Sequence, residues 1–90
     1  MARIHLPANL RTHAAHQSTI ELDAVTVSQL IDELIERYPD IGPFLRSDSG
    51  RLHPYVNLFI DQQSVRDLNE MDTPIGPHQT LLILTALSGG

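Results

Sequence analysis

The sequence closes on Leu87, Ser88, Gly89 and Gly90, and these are the residues best placed to do chemistry. Glycine has no Cβ, so a segment ending in two of them can thread a narrow channel and deliver its carboxylate to another protein's active site. The competing reading is an ordinary frayed terminus, where small residues collect without a role. A carboxylate is ionised at neutral pH and is a poor electrophile. Reaction at Gly90 therefore needs an activating partner, and the rest of the chain must be a body that presents the terminus to one.

Other constellations are thin. His13 and His16 have a spacing that suits a metal on a helix, but they fall in an expected loop with no converging carboxylates. Asp32, Glu33 and Glu36 read as the solvated face of a helix. Phosphate-binding signatures of the Walker or dinucleotide type are missing, so any ATP is expected to bind a partner. Cysteine is absent, which excludes a disulfide framework, a thiolate metal site and a cysteine nucleophile. Sulfur chemistry would have to bring its sulfur from outside.

Composition sets further bounds. Ninety residues, 41% of them apolar, suit one compact domain with a modest core and little room for a catalytic cleft. The net charge is −5, and the basic residues Arg3, Arg11, Arg37, Arg46, Arg51 and Arg66 are scattered. Nucleic acid is not an expected partner. Lysine is absent, so no side-chain amine could capture an activated terminus. No apolar run approaches the roughly 20 residues that span a bilayer, and no leader-like segment opens the chain. The expectation is a cytoplasmic protein without a membrane partner.

The elements that would carry the terminus can be read from periodicity. Ile4 and Leu6 alternate with Arg3 and His5 in a first strand ended by Pro7, a polar connection covers Asn9 to Gln17, and Ser18 to Leu22 completes a hairpin. Val27, Leu30, Ile31, Leu34, Ile35 and Tyr38 recur at helical spacing. Thr26 with Gln29 gives a capping-box start, and Pro39 ends the helix. One more turn is expected over Ile41 to Leu45. A third strand covers Tyr55 to Asp61 with Val56, Leu58 and Ile60 inward. Asp61 to Gln63 is a turn, Ser64 to Arg66 a short extended piece, Leu68 to Met71 a single helical turn, and Thr80 to Ala86 the last strand.

That last strand is apolar on both faces, with Leu81 and Ile83 on one and Leu82 and Leu84 on the other. One helix can cover only one side of a sheet. This favours an exposed apolar patch kept for a partner, to which Phe59 adds, over a strand covered on both sides or scattered exposed apolar residues of no consequence.

Strand, strand, helix, strand, short strand, strand is the β-grasp order of ubiquitin-like proteins: an α+β fold with a mixed sheet of four to five strands on one main helix. Across nearly its whole length the sequence resembles the MoaD/ThiS family of small sulfur carriers. The matching pieces are Ile4-His5-Leu6-Pro7, Thr26-Val27-Ser28-Gln29-Leu30, Glu36-Arg37-Tyr38-Pro39, Tyr55-Val56-Asn57-Leu58-Phe59-Ile60, Ser64-Val65-Arg66, Met71-Asp72-Thr73-Pro74 and the final Leu81 to Gly90. Asn9-Leu10-Arg11, Val56-Asn57 and Thr73-Pro74 are most similar to the carriers related to CysO.

The resemblance implies a β-grasp domain over residues 1–86 and a flexible tail over 87–90. It implies that the chain is a carrier and cosubstrate, not an enzyme. A MoeB/ThiF-type adenylyltransferase, using ATP and Mg bound to itself, would convert the Gly90 carboxylate to an acyl-adenylate. A sulfur donor, a persulfide sulfurtransferase or sulfide, would leave a thiocarboxylate for a sulfur-accepting synthase, with no trimming needed beforehand. Leu87, Ser88 and Gly89 would thread the tail, Phe59, Leu82 and Leu84 would dock, and Arg66 would contact the partner at the rim. No metal or bound cofactor is expected. Two rivals remain open: a ubiquitin-like modifier joined through Gly90 to target lysines, and a β-grasp interaction subunit whose terminus is never activated.

Overall fold

A computed structural model describes residues 1–85. Five strands form one mixed sheet: β1 (Ala2–His5), β2 (Thr19–Leu22), β3 (Val56–Ile60), β4 (Gln63–Ser64) and β5 (Thr80–Thr85). Their spatial order is β2-β1-β5-β3-β4, with β1 and β5 parallel and every other neighbouring pair antiparallel. This is the expected α+β layer arrangement. The main helix, α2 (Val27–Arg37), lies against one face of the sheet.

The core follows from alternation on the strands and helical period on α2. Ala2, Ile4, Ile20, Leu22, Val56, Leu58, Ile60, Leu81 and Ile83 are the inward strand residues, and Val27, Leu30, Ile31 and Leu34 are the facing stripe of the helix. Each valine, leucine or isoleucine among them, fully buried, contributes about 1.5–3 kcal/mol relative to exposure.

The start of α2 is fixed by side chains and by the chain preceding β5. Thr26 Oγ1 accepts from the Gln29 amide at 3.2 Å, as an N-cap should. Gln29 Oε1 accepts from the Val25 amide at 3.0 Å, one residue earlier than in the standard capping box. The Thr26 cap is also bridged to Pro74, with the Val27 amide donating to Thr73 O and the Ile75 amide to Val25 O. Thr73 is buried, and its hydroxyl accepts from the Asn69 amide at 3.0 Å. The Thr73-Pro74 pair thus holds the helix to the loop that leads into the last strand.

Several local expectations are corrected. The connection over Asn9 to Gln17 is not plain coil: α1 (Ala8–Arg11) turns once after Pro7, and Leu10 and Ala14 are buried. Two apolar residues four apart give too little periodicity to mark such a turn. The turn expected over Ile41 to Leu45 is present, as a 3-10 turn (Pro39–Ile41) running into α3 (Gly42–Leu45). The extended piece over Ser64 to Arg66 is shorter and earlier: β4 is Gln63–Ser64, followed by a 3-10 turn at Val65–Asp67. Ser64 Oγ accepts from the Arg66 amide there, a local bond that competes with strand extension. The helical turn placed at Leu68 to Met71 lies at Glu70–Asp72. Asp61 and Gln62 make the two-residue hairpin link between β3 and β4, both with positive φ, 50° and 71°. Such a turn matches the twist of the strands it joins.

Candidate docking face and terminus

The sheet has a second face that no helix covers among the described residues. On β5 it carries Leu82 and Leu84, on β3 Asn57 and Phe59, and on β1 Arg3 and His5. Strand register brings the apolar members together: Phe59 is paired with Leu82, Asn57 with Leu84, and His5 with Leu82 on the other side. Directly opposed side chains on one face lie within about 4.5–5.5 Å at Cβ, so Phe59 and Leu82 form one surface. Leu84 is 42% exposed, while Phe59 and Leu82 are half-buried.

These three residues line a shallow depression of about 600 Å³. Its other wall is polar, with Arg3, His5 and His78 among the lining side chains and Asp61 at the hairpin end. Asp61 Oδ2 accepts from Gln79 Nε2 at 2.7 Å, tying the hairpin to the chain entering β5. Arg3 Nε approaches Glu21 Oε1 at 3.5 Å, both side chains being half-exposed, and such a pair contributes little to stability. The depression has an apolar side near the end of β5 and a hydrogen-bonding side near its start. That arrangement fits a protein surface better than an enclosed small-molecule site, which would bury most of its ligand.

Arg66 does not join this face. Its Nη2 donates to Pro54 O at 3.1 Å and to Val56 O at 3.4 Å, at the outer edge of β3 beyond the end of β4. It lines a separate depression of about 520 Å³ whose floor includes Val56, Leu58 and Val65, on the core side of the strand. Leu87, Ser88, Gly89 and Gly90 lie outside the described residues, as does Ala86. What precedes them is defined: β5 reaches Thr85, registered opposite Val56, and Leu84 sits one residue earlier on the open face. Any segment continuing from Thr85 therefore starts beside the apolar patch.

The remaining candidates have structural surroundings. His13 stacks on Phe44 with ring centroids 4.7 Å apart, and His16 occupies a turn with φ 61°. Asp32, Glu33 and Glu36 are exposed on α2, and Asp32 pairs with Arg46. Sequence reasoning missed Asn9, whose Nδ2 donates to Thr85 Oγ1 at 3.3 Å across 76 residues of chain. Its pairing with the last strand has no signature in local spacing. Among the described residues no helix is long and apolar enough to cross a membrane.

Comparison with known proteins agrees with this geometry. The ThiS family model matches residues 4–90. The sulfur carrier protein CysO of Mycobacterium tuberculosis is 29% identical over 89 residues, covering 97% of this chain and 96% of the relative. A chain of the BexX/CysO complex of Amycolatopsis orientalis superposes with a TM-score of 0.89 at 28% identity, covering all of both chains. The small archaeal modifier protein 1 of Methanosarcina acetivorans shares the fold, with a TM-score of 0.85 at 24% identity over 99% of this chain and 95% of that one. A family match over nearly the whole sequence, with a ubiquitin-like β-grasp architecture, places this chain in the ThiS family.

Proposed function

We propose that this protein is a sulfur carrier whose Gly90 carboxylate is adenylylated by a partner enzyme and then converted to a thiocarboxylate. The observation that carries the reading is the uncovered apolar face of Phe59, Leu82 and Leu84, which runs to the end of the strand that leads into the terminal segment. Support also comes from relatives named as sulfur carriers over matching length.

The chemistry divides between carrier and partner. The carboxylate of Gly90 attacks the α-phosphorus of ATP on an adenylyltransferase of the MoeB/ThiF type, releasing pyrophosphate and forming a mixed anhydride. A sulfide equivalent then attacks the acyl carbon and AMP leaves, so one oxygen of Gly90 is replaced by sulfur. ATP and magnesium belong to the partner. The chain contributes a docking surface and a slim terminus: four residues, Leu87 to Gly90, can span at most roughly 13 Å at ~3.3 Å per residue, enough to enter a pocket while the domain stays outside. Docking makes the reaction effectively intramolecular, which is where the carrier's binding energy enters the rate. The sulfur then passes to an accepting synthase.

The test is intact mass. The chain is incubated with its cognate adenylyltransferase, ATP, magnesium and a sulfide source. The reading requires a gain equal to replacing one oxygen by sulfur, localised to Gly90 by fragmentation. Branched Gly-Gly remnants on other proteins, without that gain, would instead identify a protein modifier.

A further inference from the structure

The last registered pair before the terminal segment, Val56 with Thr85, is gripped from outside the sheet on both strands. On β5, Asn9 of α1 donates through Nδ2 to Thr85 Oγ1 at 3.3 Å. On β3, Arg66 spans Pro54 O at 3.1 Å and Val56 O at 3.4 Å with one nitrogen. Both side chains belong to exposed residues and add nothing to the hydrophobic core.

The topology explains why such contacts matter here. β4 pairs with β3 only at Phe59 and Ile60, so it has ended three residues before Val56 is reached. A short edge strand leaves the start of β3 without a strand neighbour on that side, and the guanidinium stands in its place with charged donors. On the other flank β1 pairs with β5 only from Thr80 to Leu82, leaving Leu84 and Thr85 without a β1 partner in register. Asn9 reaches that stretch from the turn after β1. The end of the β3–β5 ladder thus lacks strand neighbours on both sides, and a side chain occupies each gap.

We propose that Asn9 and Arg66 are positioning residues that clamp the Val56–Thr85 pair, fixing where the terminal segment leaves the domain and how much chain is free to reach a partner's active site. This rests on the sulfur-carrier reading for its functional consequence, though not for the clamp itself. If the pair opens, Thr85 and Leu84 join the terminal segment and lengthen its reach by roughly 7 Å. A longer tether lowers the effective concentration of its end at a fixed target. The same opening withdraws Leu84 from the docking face. Ends of strands open with little free energy, so single hydrogen bonds control their populations where they would not control the core.

The test uses the full chain labelled with 15N. Amide hydrogen exchange is followed at Leu84 and Asn57, the next registered pair inward, and at Leu30 in α2 as a reference. In the double variant Asn9→Ala with Arg66→Met, exchange at Leu84 and Asn57 rises about tenfold or more, as expected for removing bonds on both flanks, while Leu30 is unchanged. Arg66→Lys, which keeps a charged donor, recovers most of the protection. With the cognate adenylyltransferase and ATP, the double variant loses up to about twofold in kcat, and its KM for carrier rises as Leu84 leaves the docking face. Exchange that rises no more at Leu84 than at Leu30 overturns the clamp, and an unchanged kcat beside raised exchange overturns its control over the reach of the terminal segment. If the unaltered chain is not adenylylated at all, the sulfur-carrier reading fails, and the exchange data still decide whether the clamp exists.

Discussion

Replacing Leu84 with threonine separates docking from folding. Leu84 is 42% exposed, so over half of its surface is already buried by the domain. Complete burial of a leucine contributes about 1.5–3 kcal/mol, and the part still open leaves about 0.6–1.3 kcal/mol to be gained when a partner covers it. At about 1.4 kcal/mol per factor of ten, Leu84→Thr weakens docking about three- to ninefold. Threonine is β-branched and suits a strand, so folding loses only the contacts that leucine already makes. That loss is about 1 kcal/mol, or roughly 4–8 °C in Tm for a domain of this size. The assay is pyrophosphate release by the cognate adenylyltransferase at increasing carrier concentration, well below the Tm of either form. The expected result is a raised KM for carrier with kcat nearly unchanged, because the terminal residues are untouched. An unchanged KM in a folded variant would refute the open face as the docking surface.

Stability should respond to a different set of residues. Leu30 is fully buried on the helix stripe, so Leu30→Ala costs about 2–5 kcal/mol and lowers the Tm by about 8–40 °C in a thermal melt. Thr26→Ala removes the N-cap bond to the Gln29 amide and costs about 1 kcal/mol, readable as a lower denaturation midpoint with an unchanged m-value.

The long periodic elements were legible because the physics that forms them is written locally. The α2 stripe from Val27 to Leu34 is buried as its spacing requires, and β3 alternates between Val56, Leu58 and Ile60 inward and Asn57 and Phe59 outward. The two-faced apolar pattern of β5 correctly implied one covered and one open sheet face, since Leu81 and Ile83 are buried while Leu84 is not. Short pieces were less legible. One turn of helix at Ala8–Arg11 is decided by Pro7 and by the burial of Leu10 under the sheet, and neither makes a periodic signal. At Ser64 the side chain bonds the Arg66 amide and ends the strand, which a count of apolar residues does not register. Arg66 shows the same limit at the functional end. Its type suggested a charged rim contact, but its position is set by carbonyls ten and twelve residues earlier in the chain, which only the folded topology brings within its reach.

The role of Gly90 is decided most directly by intact mass of the full chain and of a form lacking Gly90, each treated with the cognate adenylyltransferase, ATP, magnesium and sulfide. The account predicts oxygen-to-sulfur replacement at Gly90 in the full chain and no mass change in the shortened one. An unmodified full chain under conditions where the enzyme turns over another carrier, or equal modification of both forms, would contradict it.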